Sequence, residues 1–206
     1  IGTGKYIPSR KVDNKFVAGK TKTSKSWILK KTGIKQRFFA TKKETCSYMS
    51  FRASLKAIKN SKIRKEEIDY IICCTFTADY KFPSLASKVS QLLDLKNAGC
   101  YDLMANCTGF QIGISTAAEK LYADKKIKNI LVIGAALQSK FLNWKKAEDC
   151  MYFGDGAGAA IVARVPKNYG YIASDLIGNS SAYEDVKLVG GGSNLTFNEA
   201  NDNERL

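Results

Sequence analysis

Two short stretches of the chain are apolar almost without a break: residues 69–75 (DYIICCT) and 129–134 (NILVIG). Runs of this length bounded by polar residues predict strands buried on both faces, as in a sheet with helices on either side. Residues 158–165 (GAAIVARV) read the same way, and 100–103 as a shorter strand. Elsewhere the spacing lengthens. From 44 to 60, Tyr48, Met49, Phe51, Leu55, Ala57 and Ile58 recur at helical intervals with Lys and Arg between them. Residues 107–122 place Phe110, Ile112, Ile114, Ala117, Ala118 and Leu121 on a second such helix. Pro83-Ser84 opens a third, which runs through Leu93. A short helix around Trp27, Ile28 and Leu29 follows the capping pair Thr23-Ser24 and ends at Gly33. Buried strands alternating with helices predict an α/β fold with a mainly parallel sheet.

The 206 residues are 45% apolar and 25% charged, as in ordinary globular proteins. There is no histidine. Ser-His-Asp and Cys-His dyads, HExxH zinc sites and histidine acid–base chemistry within this chain are therefore excluded. The net charge of +14 is unevenly placed: residues 1–67 hold 19 Lys/Arg against 4 Asp/Glu, and residues 68–206 hold 14 against 15. A basic first third attracts phosphate-bearing or acidic partners, or is simply a solvated lysine-rich surface. No zinc-finger, RNP or basic-zipper pattern accompanies the charge, so nucleic acid is not an expected partner. No apolar run approaches the roughly 18 residues of a membrane span. Six cysteines without CxxC or metal-ligand spacing and without a signal peptide point to free thiols in the cytoplasm. The abrupt start at Ile1 and the polar close from Asn194 to Leu206 look like edges of a longer polypeptide.

Three places could carry chemistry. Cys107 follows the strand at 100–103 after a short turn and begins a helix containing Gly109 and Gly113. Unpaired N–H groups and the positive end of a helix favour a thiolate there and could also hold an oxyanion. The competing reading is that of most free cysteines, a buried packing residue. Trp27, among Lys25, Lys30 and Lys31, could stack on a base while lysines meet phosphates, or could anchor its helix in a core. Gly154-Asp155-Gly156-Ala157-Gly158 has the look of a phosphate loop but precedes a strand instead of opening a helix. It therefore reads as a tight turn between strands.

In order along the chain, IGTGKYIPSRKVDN at the start, SWILKKTGIKQR (26–37), TADYKFPSLA (77–86), YDLMANCTGF (101–110), NILVIGA (129–135) and FGDGAGAAIV (153–162) resemble β-ketoacyl-acyl-carrier-protein synthase III, a thiolase-like family. The resemblance implies the N-terminal half of a duplicated αβαβα architecture with a mainly parallel or mixed sheet. Residues 1–206 would be the nucleophile-bearing half, and 176–206 a polar region leading toward the second. Cys107 falls on the family's acyl-accepting nucleophile, Trp27 on its adenine-stacking tryptophan, and Lys31 on a basic CoA contact that is usually arginine. Lysine keeps that charge but loses the planar fork. A second CoA-clamping arginine is replaced by Ala147, with Lys145 and Lys146 beside it. Phe82 matches a residue that reaches into the partner's acyl pocket, and Phe153 one that lines the substrate pocket.

The implied reaction moves an acyl group from acyl-CoA to Cys107. Decarboxylative condensation with malonyl-acyl carrier protein then gives a 3-oxoacyl product. CoA enters as a substrate thioester and no other cofactor is expected. A homodimer is expected, or a heterodimer. The family's histidine and asparagine lie in its second half, which accounts for the missing histidine. A related acyltransferase or natural-product ketosynthase would share these motifs. A non-catalytic partner subunit would be expected to lack Cys107.

Overall fold

Helix starts in the computed structural model coincide with side chains that can cap them. Asp13, Ser24, Thr45 and Ser84 each accept a hydrogen bond from a backbone N–H in the first turn that follows. The structure describes residues 1–166 and 168–196. In chain order the elements are β1 (Gly2–Tyr6), β2 (Arg10–Asp13), α1 (Asn14–Thr21), α2 (Lys25–Thr32), β3 (Gln36–Phe39), α3 (Cys46–Ser61), β4 (Tyr70–Cys74), α4 (Leu85–Leu93), β5 (Gly99–Leu103), α5 (Gly109–Ala123), β6 (Asn129–Leu137), α6 (Ala147–Cys150) and β7 (Asp155–Ala163). Of the polar region 176–206, residues 176–196 hold one short 3-10 turn, Ser180–Ala182, and residues 197–206 lie outside the described residues. No helix among the described residues is long and apolar enough to cross a membrane.

The chain forms two compact units. Of the described residues, the first comprises 1–9, 40–137 and those within 155–174; the second comprises 10–39, 138–154 and those from 175 to 196.

In the first unit a five-stranded sheet has the order β1-β7-β6-β4-β5. Both neighbours of β4 run parallel to it, while β7 runs antiparallel to β6 and to β1. The sheet is thus mixed, with as many antiparallel pairings as parallel ones. Alternation places successive residues on opposite faces, and both faces are buried. Ile71, Cys73, Leu131 and Ile133 join the core under α3 and α4, whereas Ile72, Cys74, Ile130 and Val132 join the core under α5. This double burial explains the unbroken apolar runs in β4 and β6. The residues read as a glycine turn, 154–158, are mostly strand: β7 begins at Asp155, and the buried Asp155 carboxylate accepts the Ala40 N–H at 2.7 Å.

Helix α3 lies directly against the edge strand β1. A Cβ on Gly4 would stand 2.2 Å from the Ala53 carbonyl oxygen, so only glycine allows this approach. Along that edge Lys56 donates to the Lys5 carbonyl at 3.0 Å, and Asn60 to the Thr3 carbonyl at 2.8 Å. The buried Glu44 carboxylate gathers the neighbouring loops, accepting from Tyr6 Oη (2.7 Å), Ser9 N (2.9 Å) and Thr41 N (2.8 Å). Burial opposes its ionisation, but the bonds led by Thr41 and Tyr6 prevail and hold its pKa at about 2. Burial, reinforced by Glu44, pushes Tyr6 up to about 12.

The second unit packs β2, β3, α1, α2 and α6 around Val12, Val17, Ile28, Phe39, Leu142, Cys150 and Met151. Phe16, Phe39 and Trp144 meet edge to face, with ring centroids 5.7 to 6.4 Å apart. Gly33 closes α2 at φ 70°, and its N–H returns to the Leu29 carbonyl.

Candidate active site

Strand β5 delivers the chain to Cys107 through an elbow. After Leu103, Asn106 takes a left-handed backbone (φ 49°), a conformation that asparagine tolerates better than most residues. A 3-10 turn over Asn106–Thr108 then precedes α5. Cys107 is therefore in this turn, just ahead of the α-helix and not within its first residues. Thr108 locks the turn from both its groups, donating N–H and Oγ1 to the Ala105 carbonyl at 3.2 and 2.8 Å. The Gly109 N–H closes onto the Asn106 carbonyl. These two N–H groups are thus occupied, which narrows the oxyanion donors anticipated for the helix start.

The elbow is seated by close packing behind it. Gly109, Gly113, Ala117 and Leu121 form the buried stripe of α5. A Cβ on Gly109 would meet the Cys74 Cβ at 3.3 Å, and one on Gly113 would meet the Cys74 Sγ at 2.5 Å. The helix start, and Cys107 with it, is held down on β4.

The six cysteines divide sharply. Cys46, Cys73, Cys74 and Cys150 are buried, Cys100 is half-buried, and Cys107 alone is exposed. Burial pushes Cys46 up to about 12 and Cys74 and Cys150 up to about 11; it raises Cys100 and carries Cys73 well above a thiol's ordinary range. These five are packing residues held as thiols. The packing alternative considered for Cys107 does not describe it.

Phe82 also belongs to the first unit. It precedes Pro83 through a cis peptide and is 85% exposed. Behind it Asp102, on β5, takes the Leu85 and Ala86 N–H groups on its two carboxylate oxygens at 2.6 and 2.8 Å. This carboxylate at the positive end of α4 ties the Phe82 loop to the strand that leads to Cys107. Asp102 carries no sequence signal for that role, because its partners are 16 and 17 residues away.

The other three site residues fall in the second unit. Trp27 is half-buried against the core that also receives Phe153, so its anchoring role coexists with a partly open ring. Lys31, one helical turn further along α2, is exposed. Ala147 is buried at the start of α6, and Lys145 and Lys146 beside it are exposed.

A mixed, doubly covered sheet with a cysteine on a strand–turn–helix elbow defines an α/β protein of the thiolase-like class. The family model for 3-oxoacyl-[acyl-carrier-protein (ACP)] synthase III matches residues 101–180. A β-ketoacyl-[acyl-carrier-protein] synthase III from Desulfitobacterium hafniense is 39% identical over 193 residues, which are 94% of this chain and 58% of that protein. The crystal structure of 3-oxoacyl-[acyl-carrier-protein] synthase III from Aquifex aeolicus superposes with a TM-score of 0.78 at 38% identity, covering 81% of this chain and 54% of that one. The priming β-ketosynthase of the R1128 polyketide pathway gives 0.77 at 32% identity, covering 80% and 49%. Over most of its length the chain is similar to 3-oxoacyl-[acyl-carrier-protein] synthase III proteins, and it spans little more than half the length of these relatives.

Proposed function

We propose that the protein is an acyltransferase that primes 3-oxoacyl synthesis, with Cys107 as its acyl-accepting nucleophile. The observation that carries this reading is the contrast among the thiols: five withdrawn as packing, and Cys107 exposed on a locked elbow. The Cys107 thiolate attacks the carbonyl carbon of an acyl-CoA. The C–S bond to CoA breaks, and CoA leaves as its thiol with the proton that Cys107 gave up. The Cys107 N–H is the nearest remaining candidate to face the developing oxyanion, as those of Thr108 and Gly109 close the turn. Malonyl-acyl carrier protein then loses CO2, its α-carbon attacks the acyl-cysteine, and Cys107 departs as thiolate. Two thioester steps replace one difficult carbon–carbon bond formation. CoA arrives and leaves with the substrate, so the reading calls for no resident cofactor.

Trp27 offers a ring face to adenine and Lys31 a charge to phosphate, while Phe153 lines the acyl pocket. Ala147 supplies no second clamp, so CoA would be held chiefly from α2, with Lys145 and Lys146 as the nearby cations. The enolate of the second step needs acid–base or hydrogen-bonding groups of the kind histidine provides, and this chain has no histidine. That step is accordingly assigned to the protein only together with groups outside these residues. The likeness to a priming ketosynthase favours, as a second reading, a starter step in natural-product synthesis with the same chemistry at Cys107. The intended compartment is the cytoplasm, where free thiols persist.

A homodimer completes the reading. Strand β5 forms one edge of the sheet, and the exposed Tyr80, Phe82 and Met104 flank the elements on either side of it. Pairing of two β5 edges would let Phe82 reach a partner.

The test is incubation with acyl-CoA followed by peptide mass spectrometry, with iodoacetamide as a small-reagent control. Acylation on the Cys107 peptide with release of one CoA thiol per acyl group is expected, and Cys107→Ala should abolish it. Acylation that persists in Cys107→Ala refutes the assignment.

A further inference from the structure

We infer that Arg37 is a positioning residue for the acyl-donor side of the reaction, holding α2, with Trp27 and Lys31, in register with the turn that carries Phe153. The inference rests on the functional reading above.

Arg37 lies on β3 and is only 5% exposed. One guanidinium nitrogen, Nη2, donates to Asn14 Oδ1 at 3.0 Å and to the Met151 carbonyl at 3.0 Å. Asn14 passes the link on: its amide nitrogen donates to the Ile34 carbonyl at 2.7 Å, two residues past the end of α2. A single side chain thus joins the start of α1, the segment behind α2 and the turn after α6. That turn also passes close over β3, where a Cβ on Gly154 would stand 3.3 Å from the Arg37 Cβ. Trp27 and Phe153 lie on opposite ends of this linkage and pack on the same core.

Packing alone does not account for a guanidinium here. Among the described residues Nε and Nη1 have no hydrogen-bond partner, and no ion pair involves Arg37. A methionine or leucine would fill similar space without desolvating a charge. What Nη2 adds is a bridge between acceptors 23 and 114 residues away in sequence, made from one end of a rigid planar group that a lysine ammonium on a flexible stem reproduces poorly. Misplacement of a substrate-positioning element by about 1 Å can slow a reaction by about a hundredfold.

The experiment compares two reactions of the same thiol: acylation of Cys107 by acyl-CoA and its alkylation by iodoacetamide. In Arg37→Lys, KM for acyl-CoA should rise by about ten- to a hundredfold, with kcat little changed and alkylation at the wild-type rate. Asn14→Ala severs only the arm to α2 and should raise KM by less. The double variant should be no worse than Arg37→Lys, because both changes cut one path. If Arg37→Lys does not fold, Asn14→Ala decides: a raised KM with normal alkylation supports the inference, and an unchanged KM overturns it. Acylation and alkylation falling together in Arg37→Lys would reveal a general structural role and overturn it. Variants that match an acylated wild type defeat this inference alone. A wild type that is alkylated but never acylated defeats the functional reading and this inference with it.

Discussion

Replacing Gly113 by alanine sets two opposed effects against each other. Alanine in a helix interior is favoured over glycine by about 1 kcal/mol. At Gly113 the added methyl would lie 2.5 Å from Cys74 Sγ and 2.9 Å from Val132 Cγ1, where optimal contacts between such atoms are about 3.5–4.0 Å. Cys74 and Val132 are both buried on the sheet, so α5 must lift by roughly 1 Å. Overpacking of this kind costs about 1–3 kcal/mol, which exceeds the helical gain. We expect Gly113→Ala to lower stability by up to about 2 kcal/mol. Gly19→Ala is the control: Gly19 is an exposed residue of α1 with no heavy atom within 4 Å of the new methyl, and about 0.5–1 kcal/mol should be gained. Urea titrations at constant m give both values, and the rate of Cys107 alkylation reports whether the elbow has moved. Cys74→Ala removes the nearer obstacle, so the Gly113→Ala/Cys74→Ala pair should recover much of the loss. A Gly113→Ala protein at least as stable as wild type refutes the packing argument, as does a coupling energy within about 0.3 kcal/mol of zero.

Three further outcomes follow. With a folded pKa of about 2 against an ordinary 4.5, ionised Glu44 stabilises the fold fully above pH 4.5, and that contribution disappears as pH falls toward 2. The difference corresponds to about 3 kcal/mol; Glu44→Gln should flatten the acid side of the urea-midpoint profile, and parallel profiles would reject the network. Tyr6 works on the alkaline side: its folded pKa is raised from 10.0 to about 12, so its contribution is intact below pH 10 and lost as pH climbs through 12. Asp102→Asn leaves one oxygen where two accepted N–H groups, and should cost about 1–2 kcal/mol. Hydrogen exchange at the Leu85 and Ala86 amides should quicken, and unaltered protection at both would contradict the tether.

Periodicity revealed β4, β6, α3 and α5 because each buries enough apolar surface to mark its spacing. It was silent on β1, whose inward residues are Gly2 and Gly4; their fit depends on α3, more than 40 residues later. The direction of β7 was equally hidden, since alternation is the same for parallel and antiparallel strands. This is why periodicity alone suggests a mainly parallel sheet, while the sheet is mixed, as the family resemblance allowed; the glycines of 154–158 passed for a turn because they carry no side-chain alternation to read. The second unit joins segments far apart in sequence, and no local pattern announces such a union. At the site, Cys107 was legible because an elbow is a local event. Asp102 and Arg37 were not, because their meaning lies in distant partners.

The two edges of the sheet are unequal. On β1, side chains of α3 already occupy the Thr3 and Lys5 carbonyls, whereas among the described residues β5 has no strand on its far side. A molecule with two open edges could add copies head to tail without limit, as fibrils do. With β1 blunted, the proposed homodimer would join β5 to β5, and a two-fold axis between them would leave only blunted edges outside. In the proposed homodimer, Lys56 and Asn60 would therefore oppose further growth from β1: removing both should let the pair add copies, read as larger species in light scattering.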